Sequence, residues 1–185
     1  SPKASNSPSR ACDVSPRPDN IWKILIASMG HSWNVKEGSI EIRKVKKDDL
    51  ESLRLLANRT LKEDYSEELL NQLYERFNHC FFIAEMAHRN VGFVLAVPID
   101  EGTLRILMLA VDEPSRRMGV GTRLMEVVRK YAMGRRNRAL TLEVEVGNKE
   151  AQEFYRRLGF EIIGLIQDYY RDRSDAYIMK CFLLM

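Results

Sequence analysis

The sequence has few cysteines, no long apolar run and little excess of charge of either sign. Its cysteines, Cys12, Cys80 and Cys181, are far apart and in no CxxC pair, so neither a disulfide framework nor a zinc site is predicted. No apolar run approaches the ~20 residues that span a bilayer. A formal net charge of +3 is too small to indicate nucleic-acid binding. These absences favour a globular protein of a reducing compartment, and a cytoplasmic location is expected.

The first 38 residues differ in composition from the rest and are interpreted as an N-terminal extension. Residues 1–20 are rich in Ser and Pro, which is typical of a flexible leader. Residues 21–33 are apolar but too short to span a membrane, and nothing resembling a signal-peptide cleavage site follows them. We predict a short helix or an extra strand there, with a membrane-surface role as the alternative. Residues 39–185 are predicted to form one domain.

Hydrophobic periodicity over residues 39–185 predicts an α/β fold with a mixed sheet and helices on both faces. Leu50, Leu53, Leu56 and Ala57 recur on one helical face, whereas 139–146 alternates apolar and polar residues as a strand does. A later helix is predicted to bury Leu124, Val127, Val128 and Tyr131. The predicted order is strand 40–45, helices 48–61 and 69–77, strands 80–86, 90–100 and 106–111, helix 122–131, strand 139–146, helix 149–158, and strands 160–170 and 175–185.

A basic glycine loop, residues 116–121, joins the strand 106–111 to the next helix. Glycines let a backbone approach an anion closely, and a helix start offers unpaired N–H groups and the positive end of the helix dipole. The loop is not a P-loop, because no Gly-Lys-Ser/Thr follows it, and it is not a three-glycine dinucleotide turn. We predict a pyrophosphate site. An ordinary helix start with solvated arginines is the alternative.

Three segments together resemble the GNAT superfamily of N-acetyltransferases. Arg-x-x-Gly-x-Gly at 116–121 resembles its acetyl-CoA loop, and 142–164, LEVEVGNKEAQEFYRRLGFEIIG, resembles its second signature. Residues 168–179, DYYRDRSDAYIM, resemble the tyrosine hairpin of N-terminal protein acetyltransferases, the group of the NatA catalytic subunit, its archaeal counterparts and bacterial RimI. The resemblance covers about residues 40–184. It implies the GNAT fold, whose central sheet is mixed but mostly antiparallel with helices on both faces.

The resemblance also implies the activity, which is transfer of acetyl from acetyl-CoA to the α-amino group of a protein N-terminus. Ser, Ala, Thr or Gly would be favoured as first residue, with Met as a further candidate. Backbone groups of Leu109 and Val111 would pair with the pantetheine amides, and Asn148 would contact the same arm unless it is simply a turn former. The cofactor-binding residues implied are Leu109, Ala110, Val111, Arg116, Arg117, Met118, Gly119, Val120, Gly121, Thr122, Asn148 and Tyr155.

Acyl transfer to an amine needs a group that removes the ammonium proton, because an ammonium cannot attack a thioester. Glu143 matches the family's catalytic glutamate, although alternation alone would make it a solvent-facing carboxylate. Tyr155 matches a tyrosine near the thioester sulfur and would act as general acid; the alternative is a core tyrosine. Glu145 shares the face of Glu143. No cysteine lies in a motif, which favours direct attack in a ternary complex over a covalent acetyl-enzyme.

For the acceptor, Leu61-Lys62-Glu63-Asp64-Tyr65 resembles the Leu-Pro-Glu-x-Tyr loop of NatA-type enzymes. Lys62 replaces the proline, so a less rigid loop is expected. Glu63 would order the peptide N-terminus or a catalytic water, and Tyr65 would line the first-residue pocket. Ordinary loop and cap roles are the alternatives. The substrate-binding residues implied are Leu61, Glu63, Tyr65, Tyr169 and Tyr170.

Other acceptors and partners stay open at this stage. An internal lysine or a small amine is the alternative acceptor, and a non-catalytic acetyl-CoA-binding or ribosome-docking module is the alternative class. The expected partner is a protein or peptide N-terminus, together with a ribosome or auxiliary subunit. No DNA partner, membrane span or metal is expected. The basic cluster at 129–138 would face the CoA 3′-phosphate or a ribosome, unless it is a solvated helix end.

Overall fold

The computed structural model describes residues 39–184, and the predictions for residues 1–38 lie outside that range. Among residues 39–184, no helix is long and apolar enough to cross a bilayer. The strands are β1 Glu41–Lys44, β2 Phe81–Met86, β3 Arg89–Asp100, β4 Thr103–Val111, β5 Ala139–Glu145, β6 Glu161–Ile166 and β7 Ala176–Phe182; the helices are α1 Leu50–Thr60, α2 Glu67–Phe77, α3 Val120–Gly134 and α4 Lys149–Arg157.

The seven strands form one mixed sheet in the order β1-β2-β3-β4-β5-β7-β6. All neighbouring pairs are antiparallel except β4 and β5, which are parallel. The parallel pair follows from the crossover through α3, because a parallel neighbour cannot be reached by a hairpin. The predicted mixed, mostly antiparallel sheet is confirmed.

Helices α1 and α2 cover one face of the sheet. The four residues predicted to face inward from α1, Leu50, Leu53, Leu56 and Ala57, are all buried. They pack in one cluster with strand residues such as Phe81 and Phe93, whose rings meet edge to face with centroids 6.0 Å apart. Each large side chain fully buried in this way contributes about 1.5–3 kcal/mol of transfer free energy.

Helix α3 lies on the opposite face, close to the backbone of β3. A Cβ at Gly92 would lie 2.9 Å from the Ala110 carbonyl oxygen and 3.0 Å from Cγ1 of Val120, so only glycine permits this approach. The predicted buried face of this helix was partly wrong. Besides Leu124 and Val128, the buried residues are Val120, Met125 and Ala132, whereas Val127 and Tyr131 are only half-buried.

The predicted strand 160–170 ends early, at Ile166. Asp168 has a φ of 50°, and its N–H donates to Oδ1 of Asp175, which starts a turn that a strand cannot contain. Tyr169 and Tyr170 therefore lie in the β6–β7 loop, residues 167–175, rather than on a strand. This loop and the α1–α2 loop, residues 61–66, both border the candidate site.

Candidate active site

A cleft opens in the sheet where β4 and β5 separate. The two strands pair only through Thr103–Arg105 and Ala139–Thr141, although β4 continues to Val111 and β5 to Glu145. Beyond the paired residues both strands line a cleft of about 1280 Å³. The β5-facing edge of β4 has no strand partner there within the described chain. Its N–H and C=O groups are consequently available to a ligand.

The N-terminus of α3 closes one end of this cleft. Gly119 caps the helix with a φ of +86°, a left-handed conformation that glycine adopts without steric cost. The N–H of Arg123 donates to the Gly119 carbonyl over 3.0 Å as the first helical bond. The N–H groups of Val120, Gly121 and Thr122 precede that bond and lack helical acceptors. They and the positive end of the helix dipole lie where the glycine loop predicts an anion site.

Gly121 lets the start of α3 lie close to the middle of α4. A Cβ at this position would lie 3.2 Å from Cζ of the Phe154 ring on α4. A larger residue would push α4, and with it Tyr155, away from the glycine loop. The glycine pair thus has two separate roles, since Gly119 supplies a backbone conformation and Gly121 supplies space.

The two arginines of the loop differ in their contacts. Nε of Arg116 donates to the Val111 carbonyl over 3.3 Å, whereas the Arg117 side chain is 87% exposed and lies 3.5 Å from Glu150 Oε1. Met118 is 54% exposed and is not among the residues that line the cleft, and its cofactor contact stays a prediction. Its position in the tight turn before Gly119 directs it to solvent. All other predicted cofactor-binding residues line the cleft.

Glu143 lies on β5 just beyond the point of divergence, and its side chain is only 15% exposed. It is therefore not the solvent-facing carboxylate that alternation alone would give. Its Oε2 accepts from Nε of Arg105 over 2.8 Å, and Nη2 of Arg105 donates to the Tyr169 hydroxyl over 2.6 Å. Arg105 is a site residue that was not predicted from the sequence; the available signal was a charged residue within the apolar strand β4.

Tyr155 on α4 both packs and lines the cleft. Its ring meets Phe154 and Phe160 edge to face, with centroids 5.1 Å and 5.7 Å away. Burial, and to a smaller extent the neighbouring Tyr170, raises the pKa of its hydroxyl well above the ordinary value. The hydroxyl consequently stays protonated and can only donate a hydrogen to an anion beside it.

Asn148 caps α4, because its Oδ1 accepts from the N–H of Ala151 over 3.0 Å. It also lines the cleft. One turn further, Gln152 is 1% exposed, and its Nε2 donates to the carbonyls of Glu145 and Val146 over 3.0 Å and 2.9 Å. Gln152, which sequence analysis also missed, fixes the end of β5 against the helix that carries Tyr155.

At the acceptor end, Lys62 joins three parts of the chain. Its ammonium donates to Glu145 Oε1 over 2.9 Å and to Ser174 Oγ over 3.1 Å, and it forms an ion pair with Asp172. It also lies 5.4 Å from the centroid of the Tyr170 ring. Hydrogen bonds to Asp172 and Glu145 raise the pKa of Lys62. The loop expected to be loose without proline is thus tied by ionic contacts.

A second ion pair joins the same two loops. Arg171 Nε lies 3.0 Å from Glu63 Oε2. Tyr65 is held by Asn58, whose Oδ1 accepts from the Tyr65 N–H over 2.8 Å, and burial raises the pKa of its hydroxyl. The structure brings all five predicted substrate-binding residues, Leu61, Glu63, Tyr65, Tyr169 and Tyr170, to the cleft.

The basic cluster 129–138, at the end of α3, includes residues that contact other groups of the described chain. Arg129 donates to the Leu158 carbonyl over 2.8 Å, and the Arg135 guanidinium lies 5.5 Å from the Tyr131 ring centroid. Within residues 39–184, no group of three or more His, Cys, Asp or Glu side chains is arranged to hold a metal ion.

The cleft between β4 and β5, with a helix N-terminus at one end and an open strand edge along one side, has the shape and the donors to hold a phosphate-bearing acyl donor. Comparison with known families agrees, since residues 48–160 match the profile of the acetyltransferase (GNAT) family. The chain belongs to this family and is an acetyl-CoA-dependent N-acetyltransferase.

Individual relatives match about three quarters of the chain. The chain is 33% identical to an uncharacterized N-acetyltransferase of Methanocaldococcus jannaschii, over 75% of this chain and 88% of that protein. It is 27% identical to an N-alpha-acetyltransferase of Sulfurisphaera tokodaii, over 75% and 90%. The crystal structure of Ard1 from Thermoplasma volcanium superposes with a TM-score of 0.77 at 34% identity, over 79% of this chain and 99% of that one.

Proposed function

We propose that this enzyme transfers acetyl from acetyl-CoA to the α-amino group of a protein N-terminus. The observation that carries the proposal is the single cleft that has the α3 anion site at one end and the α1–α2 and β6–β7 loops at the other. A donor and a peptide can occupy such a cleft together. The similarity to an archaeal N-alpha-acetyltransferase supports the choice of acceptor.

The residues present fit acetyl-CoA. The first N–H groups of α3, with Arg116 and Arg117, would hold the pyrophosphate. The unpartnered edge of β4 at Leu109 and Val111 would pair with the pantetheine amides as a neighbouring strand does. An N–H at the end of this edge would polarise the thioester carbonyl. Bound in this way, the cofactor supplies the activated acetyl group.

Glu143 is the proposed base, taking the proton of the acceptor ammonium directly or through a water. Direct attack in a ternary complex is proposed, because no described cysteine lines the cleft. Cys80 is fully buried, and burial raises the pKa of its thiol to about 12. Cys181 is buried beneath the Gly159 turn, with its sulfur 3.6 Å from where a Cβ of Gly159 would lie. Neither thiol is available as an acetyl carrier.

Tyr155 has a modified role in this proposal. A thiol has a pKa of roughly 8.5, below that of any tyrosine whose pKa is raised by burial, so full proton transfer from Tyr155 to a thiolate is unfavourable. We propose that Tyr155 donates a hydrogen bond that stabilises the departing thiolate. The proton that converts the thiolate to the CoA thiol then comes from the acceptor amine. This replaces the general-acid role expected from sequence.

For the acceptor, Leu61, Glu63 and Tyr65 are proposed to form the pocket of the first residue, which favours Ser, Ala, Thr or Gly. Tyr169 and Tyr170 are proposed to bond to the peptide backbone. A cytoplasmic location, and a ribosome or auxiliary subunit as partner, complete the proposal.

An acceptor screen tests the proposal. CoA release is measured with acetyl-CoA and peptides that begin with Ser, Ala or Met, with the same peptides acetylated at the N-terminus, and with an internal-lysine peptide and a polyamine. Turnover restricted to free N-termini is expected. If only the lysine peptide or the polyamine is acetylated, the proposed acceptor is wrong. If no amine causes CoA release, a non-catalytic acetyl-CoA-binding module is favoured.

A further inference from the structure

Arg105 connects the two halves of the cleft. It is the last residue of β4 that pairs with β5, opposite Thr141, so it lies where the strands begin to diverge. From there Nε reaches Glu143 Oε2 over 2.8 Å, on the neighbouring strand. Nη2 of the same guanidinium reaches the Tyr169 hydroxyl over 2.6 Å, in the β6–β7 loop. One side chain thus contacts the proposed base and the proposed acceptor loop.

The direction of these hydrogen bonds follows from which of the groups can donate. Arginine has only N–H donors, so the Tyr169 oxygen accepts from Arg105 and the Tyr169 hydrogen is left to donate elsewhere. Because Arg105 donates its hydrogen bond to Oε2 of Glu143, Oε1 of the same carboxylate is left to accept a proton. The planar guanidinium holds both partners in one fixed geometry, which an ammonium cannot do.

We propose that Arg105 is a positioning residue for acetyl transfer. It holds Glu143 with Oε1 toward the acceptor amine, and it turns the Tyr169 hydroxyl so that its hydrogen donates to a carbonyl oxygen of the acceptor. The acceptor class is consequently an amine with a nearby carbonyl, as in a peptide. This inference rests on the proposed function and deepens it.

A double-mutant cycle tests the inference by separating kcat from KM. Arg105→Met should lower kcat roughly 10–100-fold and raise the KM for peptide, because both partners lose their orientation. Glu143→Gln should lower kcat about 100-fold or more with peptide KM unchanged. In the Glu143→Gln background, Arg105→Met should raise KM but lower kcat no further. Arg105→Lys should recover part of kcat, because it keeps a cation beside Glu143.

Two controls separate positioning from folding. Acetyl-CoA affinity should stay at the wild-type value in every variant, and the melting temperature shows whether Arg105→Met, which removes the partner of a largely buried carboxylate, still folds. Tyr169→Phe leaves the Arg105–Glu143 pair intact and should raise KM alone, which keeps the inference testable if Arg105→Met does not fold. A fall in kcat with Tyr169→Phe as large as that with Arg105→Lys would overturn the inference.

The outcomes distinguish this inference from the proposed function. If Arg105→Met lowers kcat equally in both backgrounds, or leaves it unchanged, Arg105 does not position Glu143, while wild-type turnover of peptides still supports the function. If the wild type acetylates only lysine or small amines, the N-terminal acceptor is wrong. The double-mutant cycle of Arg105→Met and Glu143→Gln, measured with that amine, then tests the role of Arg105. No turnover with any amine would overturn both.

Discussion

The ammonium of Lys62 lies 2.9 Å from Oε1 of Glu145, joining the loop after α1 to the end of β5 across 83 positions of sequence. The same ammonium pairs with Asp172 of the β6–β7 loop. Two loops that border the acceptor end are therefore fixed to each other and to the strand that carries Glu143. The NatA-type loop that residues 61–65 resemble has proline at the position of Lys62. In this chain, the ionic contacts of Lys62 fix the loop instead.

Lys62→Met should raise the KM for peptide by about threefold and leave acetyl-CoA affinity unchanged, because exposed ion pairs are individually weak. Lys62→Arg, which retains the charge, serves as the matched control. Salt should raise the wild-type KM and have a smaller effect on Lys62→Met, since ionic screening acts on a contact that the variant lacks. Steady-state kinetics at two ionic strengths check this. A KM for Lys62→Met at or below the wild-type value would contradict the proposed tie.

The ion pair between Lys62 and Asp172 is stabilising over a defined pH range. Hydrogen bonds from Lys62 and Ser174 hold the pKa of Asp172 at about 2, so its stabilising contribution is complete above the ordinary value of 3.8 and is lost as pH falls toward 2. The pKa of Lys62 is raised above 10.5, so its contribution is lost only when pH rises beyond that value. Between these limits the salt effect on peptide KM should not change with pH, which repeated kinetics at pH 6 to 9 would check.

Arg116→Ala with Arg117→Ala should weaken acetyl-CoA binding by roughly tenfold, because two cations near a pyrophosphate are removed while the helix N–H groups remain. At saturating acetyl-CoA, kcat should be unchanged. Arg76→Ala with Lys47→Ala, which removes two exposed cations outside the cleft, is the control for net charge. Isothermal titration with CoA measures the affinity. A loss of kcat without loss of affinity would contradict the phosphate-site assignment.

Gly119→Ala should weaken acetyl-CoA binding and destabilise the fold by about 1–2 kcal/mol, because an L-residue at a φ of +86° is strained even though no atom blocks its Cβ. Gly134→Ala is the matched control, with equally open space and no positive φ. It should be neutral or slightly stabilising, as alanine favours a helix. Thermal unfolding and CoA titration of both variants provide the test, and equal effects at the two sites would count against the capping conformation.

Tyr155→Phe should lower kcat about tenfold or more, since a hydrogen bond to a developing anion is lost, and should keep peptide KM and melting temperature. The ring packing against Phe154 and Phe160 does not need the hydroxyl, so folding is preserved. Steady-state assays with acetyl-CoA and a Ser-initiated peptide measure kcat. Unchanged kcat would leave Tyr155 with only a packing role.

Local sequence patterns predicted those parts of the structure that depend on neighbouring residues. The face of α1 and the glycine loop before α3 follow from spacing within single elements, so periodicity and backbone chemistry sufficed. The α3 face was partly wrong although apolar spacing indicates it, because Val120, Leu124, Val128 and Ala132 recur every four residues. Val127 and Tyr131 lie at the edge of this face and are only half-buried.

The electrostatics of the cleft could not be predicted in the same way. The Arg105–Glu143 pair spans 38 positions and the Lys62–Asp172 pair 110, and both exist only because β4 and β5 diverge and the β6–β7 loop folds back. Tyr169 and Tyr170 fall at the end of the predicted strand 160–170, whereas the turn at Asp168, which the apolar pattern does not show, decides their position.

The most direct test of N-terminal acetyl transfer is the position of the acetyl group on a peptide that offers both kinds of amine. A Ser-initiated peptide with one internal lysine is incubated with acetyl-CoA and the full chain, beside an N-terminally blocked twin, and the products are sequenced by tandem mass spectrometry. The account predicts acetyl on the Ser α-amine alone and no reaction of the twin. Acetyl on the lysine of the blocked twin, or on the lysine of the Ser-initiated peptide with its α-amine unmodified, would contradict it.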